Sequence, residues 1–115
     1  MNYTKGEWKA NKSSIECDGW PVAQTYPDTR LNSNASLSLM RANAHLIAAA
    51  VNACASVNPD NPMAVAESIK DMYEALGELL EITHDLTLGD GSPDPQVEAA
   101  NRKGREALAK AEGAK

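Results

Sequence analysis

Ser14-Ile15-Glu16-Cys17-Asp18-Gly19-Trp20-Pro21-Val22-Ala23 sets an Asp-Gly pair between two runs in which apolar and polar residues alternate. Asp-Gly suits the left-handed backbone of a tight hairpin turn, so the stretch reads as two antiparallel strands and not as part of a helix. Upstream, Glu7-Trp8-Lys9-Ala10 is a further strand-sized piece, set off by Asn11-Lys12. Residues 7–26 therefore predict a short β-meander. Two or three short strands do not persist alone in water, so the meander must lie on an apolar helix face, with Trp8, Ile15 and Val22 as its anchors.

The helices that could supply such a face follow. After the polar connector Tyr26 to Asn34, with Ser33 or Asn34 as the expected N-cap, a helix is predicted over 34–57. Met40, Ala44, Ile47, Val51 and Cys54 step by four and three, and Leu39, Leu46, Ala50 and Ala53 form an adjacent stripe. A helix apolar over that breadth is expected to be buried against two neighbours. Asn61-Pro62 then combines a cap with proline at the first helical position, predicting a second helix over 62–86. Its seam, Val65, Ile69, Met72, Leu76, Leu79, Thr83 and Leu86, is heptad-like, with Gly77 beside it and acidic residues mostly off it. Asp94-Pro95 repeats the device and predicts a third, weak helix over 94–112, with the small-residue stripe Val97, Ala100, Gly104, Leu108 and Ala111. The expected class is α+β, mostly α: one domain over 1–115, with the meander packed on an α-helical hairpin and a third weak C-terminal helix.

The chain has 115 residues, a size that suits a single compact unit. Its 11 basic and 16 acidic residues leave a net charge of −5, the wrong sign for steering toward nucleic acid or an anionic membrane. The polar opening MNYTKGEWKANK has no apolar stretch of signal-peptide or membrane-span length, so a cytoplasmic protein is expected. Cys17 and Cys54 lack CxxC spacing and a histidine at ligand spacing, so both read as ordinary thiols and no metal or other cofactor is expected.

No motif announces a reaction. His45 has no partner in a triad-like relation, and His84 and Asp85 are adjacent, so on a helix they point apart. Asp85, Asp90 and Asp94 surround a glycine loop that lacks the calcium-loop spacing, and neither GxxxxGK[ST] nor GxGxxG occurs. The expectation is a protein that is not an enzyme. Two binding sets remain. Trp8, Trp20, Tyr26, Arg30, Arg41 and His45 would suit a nucleotide if the fold gathers them. Glu67, Asp71, Glu74, Glu78 and Glu81 could dock a basic partner.

The segment Arg41 to Ala50, RANAHLIAAA, resembles the ANA-x-LIAAA helix of small phage and prophage accessory proteins. Gly6-Glu7-Trp8 resembles their G-P-W-type opening, Trp20-Pro21-Val22-Ala23 their short strand after a DG turn, and REALAKAEG over 105–113 their C-terminal ending. Where such proteins tend to carry proline after LIAAA, this chain has Val51-Asn52-Ala53. The resemblance implies a phage-encoded accessory protein in the host bacterial cytoplasm, and it carries no active-site residue with it. The leading expectation is a homo-oligomeric binding protein that interferes with a host or anti-phage defence protein. The alternative is a sponge that sequesters a nucleotide immune signal, and a small enzyme comes third.

Overall fold

The computed structural model describes residues 1–83, 86 and 88–113. Three strands, β1 (Trp8–Asn11), β2 (Ser14–Cys17) and β3 (Trp20–Gln24), precede three helices, α1 (Ser33–Val57), α2 (Pro62–Thr83) and α3 (Pro95–Ala111). The protein is α+β and mostly helical. The sequence reading treats 1–115 as one domain; the packing of the chain gathers into two compact units, Met1–Glu67 and Ser68–Lys115.

In the first unit the sheet has the order β1-β2-β3, antiparallel throughout. Asp18 and Gly19 take φ values of 52° and 81° between the paired residues Cys17 and Trp20, the two left-handed positions that a two-residue hairpin requires. Beyond it the register slips by one residue: Ile15 faces Ala23 and Glu16 faces Pro21, so Val22 is the extra residue of a bulge. Proline has no N–H to give to a ladder, and an edge strand with a bulge is where a sheet tolerates one.

The inner face of the sheet lies on α1. Ile15 is fully buried against Ala44 and Ala48, with Trp8, Ala10, Val22 and Ala23 packed around them, so all three expected anchors belong to this core. The alanines matter because a helix carrying no side chain beyond Cβ on one face lets a sheet approach closely. Polar groups tie the layers together at their margins. The Thr25 hydroxyl stands between the carbonyls of Ser13 and Met40, at 2.8 and 3.0 Å, and the Asp28 N–H donates to Ser36 Oγ at 2.9 Å.

Helix α1 starts one residue earlier than expected. Its N-cap is Asn32, whose side chain accepts from the Ala35 N–H at 2.9 Å, in place of Ser33 or Asn34. The preference for Asn, Ser or Asp at a cap does not choose among three such residues in a row, and the position is fixed by where Ser36 must meet Asp28. Asn61 and Asp94 do open α2 and α3, the latter accepting from the Gln96 N–H at 2.9 Å. Both cysteines are buried and unpaired to each other.

In the second unit α2 meets α3 through Leu76, Leu80, Thr83 and Gly104. A Cβ on Gly104 would stand 2.9 Å from a Leu80 methyl and 3.3 Å from one of Leu76, so glycine sets the closeness of the two helices. The space around Gly77, beside the seam, is open. Gly77→Ala is therefore expected to stabilise the protein by about 0.5–1 kcal/mol, read as a higher urea midpoint at constant m-value. The inward residues of α3 are Val97, Asn101, Gly104 and Leu108; Asn101 is buried where Ala100 was expected, and Ala100 and Ala111 are exposed. The Asn101 amide donates to the Thr83 carbonyl at 3.1 Å and stands 2.8 Å from its hydroxyl, satisfying a carbonyl at the end of α2 that no residue of the helix could reach. His84 and Asp85 lie outside the described residues.

Candidate functional site

The six residues of the nucleotide set are spread over the first unit. Trp8 is half-buried, and its indole N–H donates to the Thr4 carbonyl at 2.8 Å. Trp20 and Tyr26, at the two ends of β3, are 77% and 81% exposed. Arg41 and His45, one turn apart on α1, are exposed. Arg30 holds Asp28 in a two-pronged pair, with Nε 2.9 Å from one carboxylate oxygen and Nη2 2.8 Å from the other. The guanidinium thereby keeps the Asp28 carboxyl below its ordinary 3.8, and the carboxylate in turn raises Arg30. Because the Asp28 value is depressed on folding, the contribution of this pair is present above the ordinary carboxylate range and is lost as pH falls through the depressed value. Arg30→Ala is expected to return Asp28 toward 3.8, a shift that a carboxyl carbon NMR titration would follow.

The acidic set is placed differently. Glu67, Asp71, Glu74, Glu78 and Glu81 recur at spacings of four and three and run as one stripe along α2. All five are exposed, and Lys70 is the one basic residue on the helix. Lys70 lies 3.9 Å from Glu74 with both side chains largely in solvent, a pair that offsets little of the field. Next to this stripe the expected seam divides. Leu76 and Thr83 turn to α3, whereas Ile69, Met72 and Leu79 are 53%, 47% and 57% exposed. On the same helix Tyr73 donates its hydroxyl to the Glu112 carboxylate, which raises the phenol above its ordinary 10.0.

Helix α1 also has an uncovered side. The sheet takes its Ala44 and Ala48 face, while the stripe Leu39, Leu46, Ala50 and Ala53 is exposed, Leu46 by 69%. The expectation of burial between two neighbours is thus met on one side only.

The comparisons with known proteins add no family: no family model, no curated protein and no solved structure matches this chain. Among the described residues, no helix is long and apolar enough to cross a membrane. Asp90 and Asp94, which flank the glycine loop that lacks calcium-loop spacing, have structural partners. Asp90 accepts from the Ser92 N–H and hydroxyl at 2.9 and 2.6 Å, which lowers its carboxyl, and Asp94 caps α3.

Two features were missed in the sequence. One is Asn52. Its side-chain amide accepts from the Trp8 N–H at 2.9 Å and donates to the Trp8 carbonyl at 2.8 Å, pairing with the outer edge of β1 as a neighbouring strand would. Asn52→Ala removes both bonds and leaves two part-buried backbone groups without them, a loss of about 1–2 kcal/mol measurable by chemical denaturation. The polar Asn in an Ala-rich apolar helix was the available signal. The other is an apolar cavity of about 280 Å³ lined by Tyr3, Trp8, Val51, Cys54, Pro62 and Met63 among others. No periodicity reveals it, because its walls come from three separate stretches of chain.

Proposed function

We propose that this is a non-enzymatic, phage-encoded binding protein that engages a basic surface on a bacterial host or anti-phage defence protein through α2. The observation that carries the reading is the pairing on one helix of exposed Ile69, Met72 and Leu79 with an exposed acidic stripe. Apolar contact area with a charged border is the usual anatomy of a protein-binding patch: the apolar residues supply affinity, and the charges steer encounter and select a complementary partner. The setting is the host cytoplasm, as the resemblance implies. The outer stripe of α1, Leu39, Leu46, Ala50 and Ala53, would join copies of the chain into a homo-oligomer, since a contiguous apolar strip on a small protein marks an association surface.

The nucleotide-sponge reading ranks second. It needs cations free to meet an anion, and Arg30 is held by Asp28 while Trp8 lines a cavity whose walls include none of Trp20, Tyr26, Arg30, Arg41 or His45.

Affinity capture from bacterial lysate with the wild-type protein, with Glu74→Lys/Glu78→Lys, and with Glu106→Lys on α3 as a control tests the proposal. A basic protein retained by the wild type and the control but lost on the double reversal is the expected result. Capture indifferent to the double reversal would remove α2 as the contact surface.

A further inference from the structure

We propose that the cavity at the N-terminal arm is a binding site for a small, uncharged, apolar ring compound, independent of the partner surface on α2. The cavity measures about 280 Å³. It is partly open to solvent, a concave apolar pocket of the kind that takes up small ligands and not a sealed interior void. It lies where the N-terminal arm meets α1 and the start of α2.

The chemistry of the walls specifies the ligand. None of the lining residues, which also include Met1, Ala50 and Ala66, carries a charged side chain. The two aromatic residues have already committed their polar ends: the Tyr3 hydroxyl donates to the Pro59 carbonyl at 2.6 Å and the Trp8 indole N–H to the Thr4 carbonyl at 2.8 Å. A charged group entering the pocket would give up part of its hydration with no charged side chain in the walls to replace it, whereas one or two uncharged rings would meet carbon and sulfur surface.

The arm that carries Tyr3 is fastened, so this wall of the pocket is held in place. Besides the Tyr3 bond, Lys5 Nζ lies 3.6 Å from Asp60 Oδ1, and the Cys17 thiol donates to the Lys5 carbonyl at 3.3 Å. These contacts pin the arm to the α1–α2 connection on one side and to the sheet on the other. Asn52 holds Trp8 from behind through its backbone.

Methyl NMR of the full chain, titrated with naphthalene and separately with naphthalene-1-sulfonate, tests this. Naphthalene is expected to shift the Met63 and Val51 methyl signals saturably, and the sulfonate to bind at least about tenfold more weakly because its charge has no partner in the walls. Ala66 also lines the cavity and is exposed, and it lies outside the α1 stripe, so Ala66→Leu fills it from a position where the larger side chain is tolerated. The filled variant is expected to weaken naphthalene by at least about tenfold while the Ile15 methyl signals stay in place. Should those signals collapse, the smaller Ala66→Val is read in the same way. The absence of saturable shifts in the wild type, equal affinity in the filled variant, equal binding of the sulfonate, or shifts centred on Leu39 and Leu46 would each overturn the proposal.

Discussion

Ile15→Ala is expected to lower stability by about 2–5 kcal/mol and to detach the sheet from α1. Ile15 is the one large side chain among the described residues that is wholly withdrawn from solvent, and it stands at the centre of the core with Ala44 and Ala48. Those neighbours are already small, so they cannot swing into the space that the lost atoms leave, and the cavity term adds to the lost transfer energy. The meander depends on this contact because three short strands have no independent stability. The expected observation is a large drop in the urea midpoint, accompanied by loss of dispersed amide signals for residues 8–24 while α1 keeps much of its helicity. A small drop would mean that the polar ties at Thr25, Ser36 and Asn52 carry more of the sheet than the buried apolar contact does.

Gly104→Val is expected to cost about 3 kcal/mol and to loosen α3 from α2. The first added carbon would already come within 2.9 Å of Leu80 and 3.3 Å of Leu76. An alanine could be accommodated, since the atoms it meets are the ends of flexible side chains. A valine adds two more methyl groups in a rotamer that the helix itself restricts, so both leucines must move at once. The bond between Asn101 and the end of α2 lies one turn away on the same face of α3, so it is expected to break with the displacement. Hydrogen exchange should speed up across residues 97–108. Gly104→Ala should fall well short of the valine variant, because better helix propensity offsets part of its crowding.

These two residues show what the chain discloses unfolded and what it conceals. Asp18-Gly19 states its turn in the open, because few dipeptides accept two left-handed positions, and the anchors Trp8, Ile15 and Val22 follow from the alternation around it. The proline-opened helices were equally legible. Gly104 was assigned to the inner stripe of α3, yet Asn101 was not, since a polar residue fits an apolar stripe only when its partners are known, and Thr83 is far off in sequence. The breadth of apolar residues on α1 was visible, but periodicity gives the faces of a helix and not their occupants. It therefore suggested two neighbours where the sheet supplies one. Of the candidate sites, the acidic spacing on α2 could be read directly, because all five residues lie on one element. The cavity could not, since Tyr3, Val51 and Met63 come together only once the chain has folded.

The proposed function rests on α2 as the partner-binding surface. Site-specific photo-crosslinking in bacterial cells, with a benzophenone amino acid placed in turn at Met72, Leu79, Leu46 on α1 and Arg105 on α3, tests that claim most directly. The prediction is one and the same foreign protein attached at positions 72 and 79, lost on Glu74→Lys/Glu78→Lys, with attachment to a second copy of the chain at position 46 and neither product at 105. Foreign-protein crosslinks at 46 or 105 with none at 72 and 79 would contradict it.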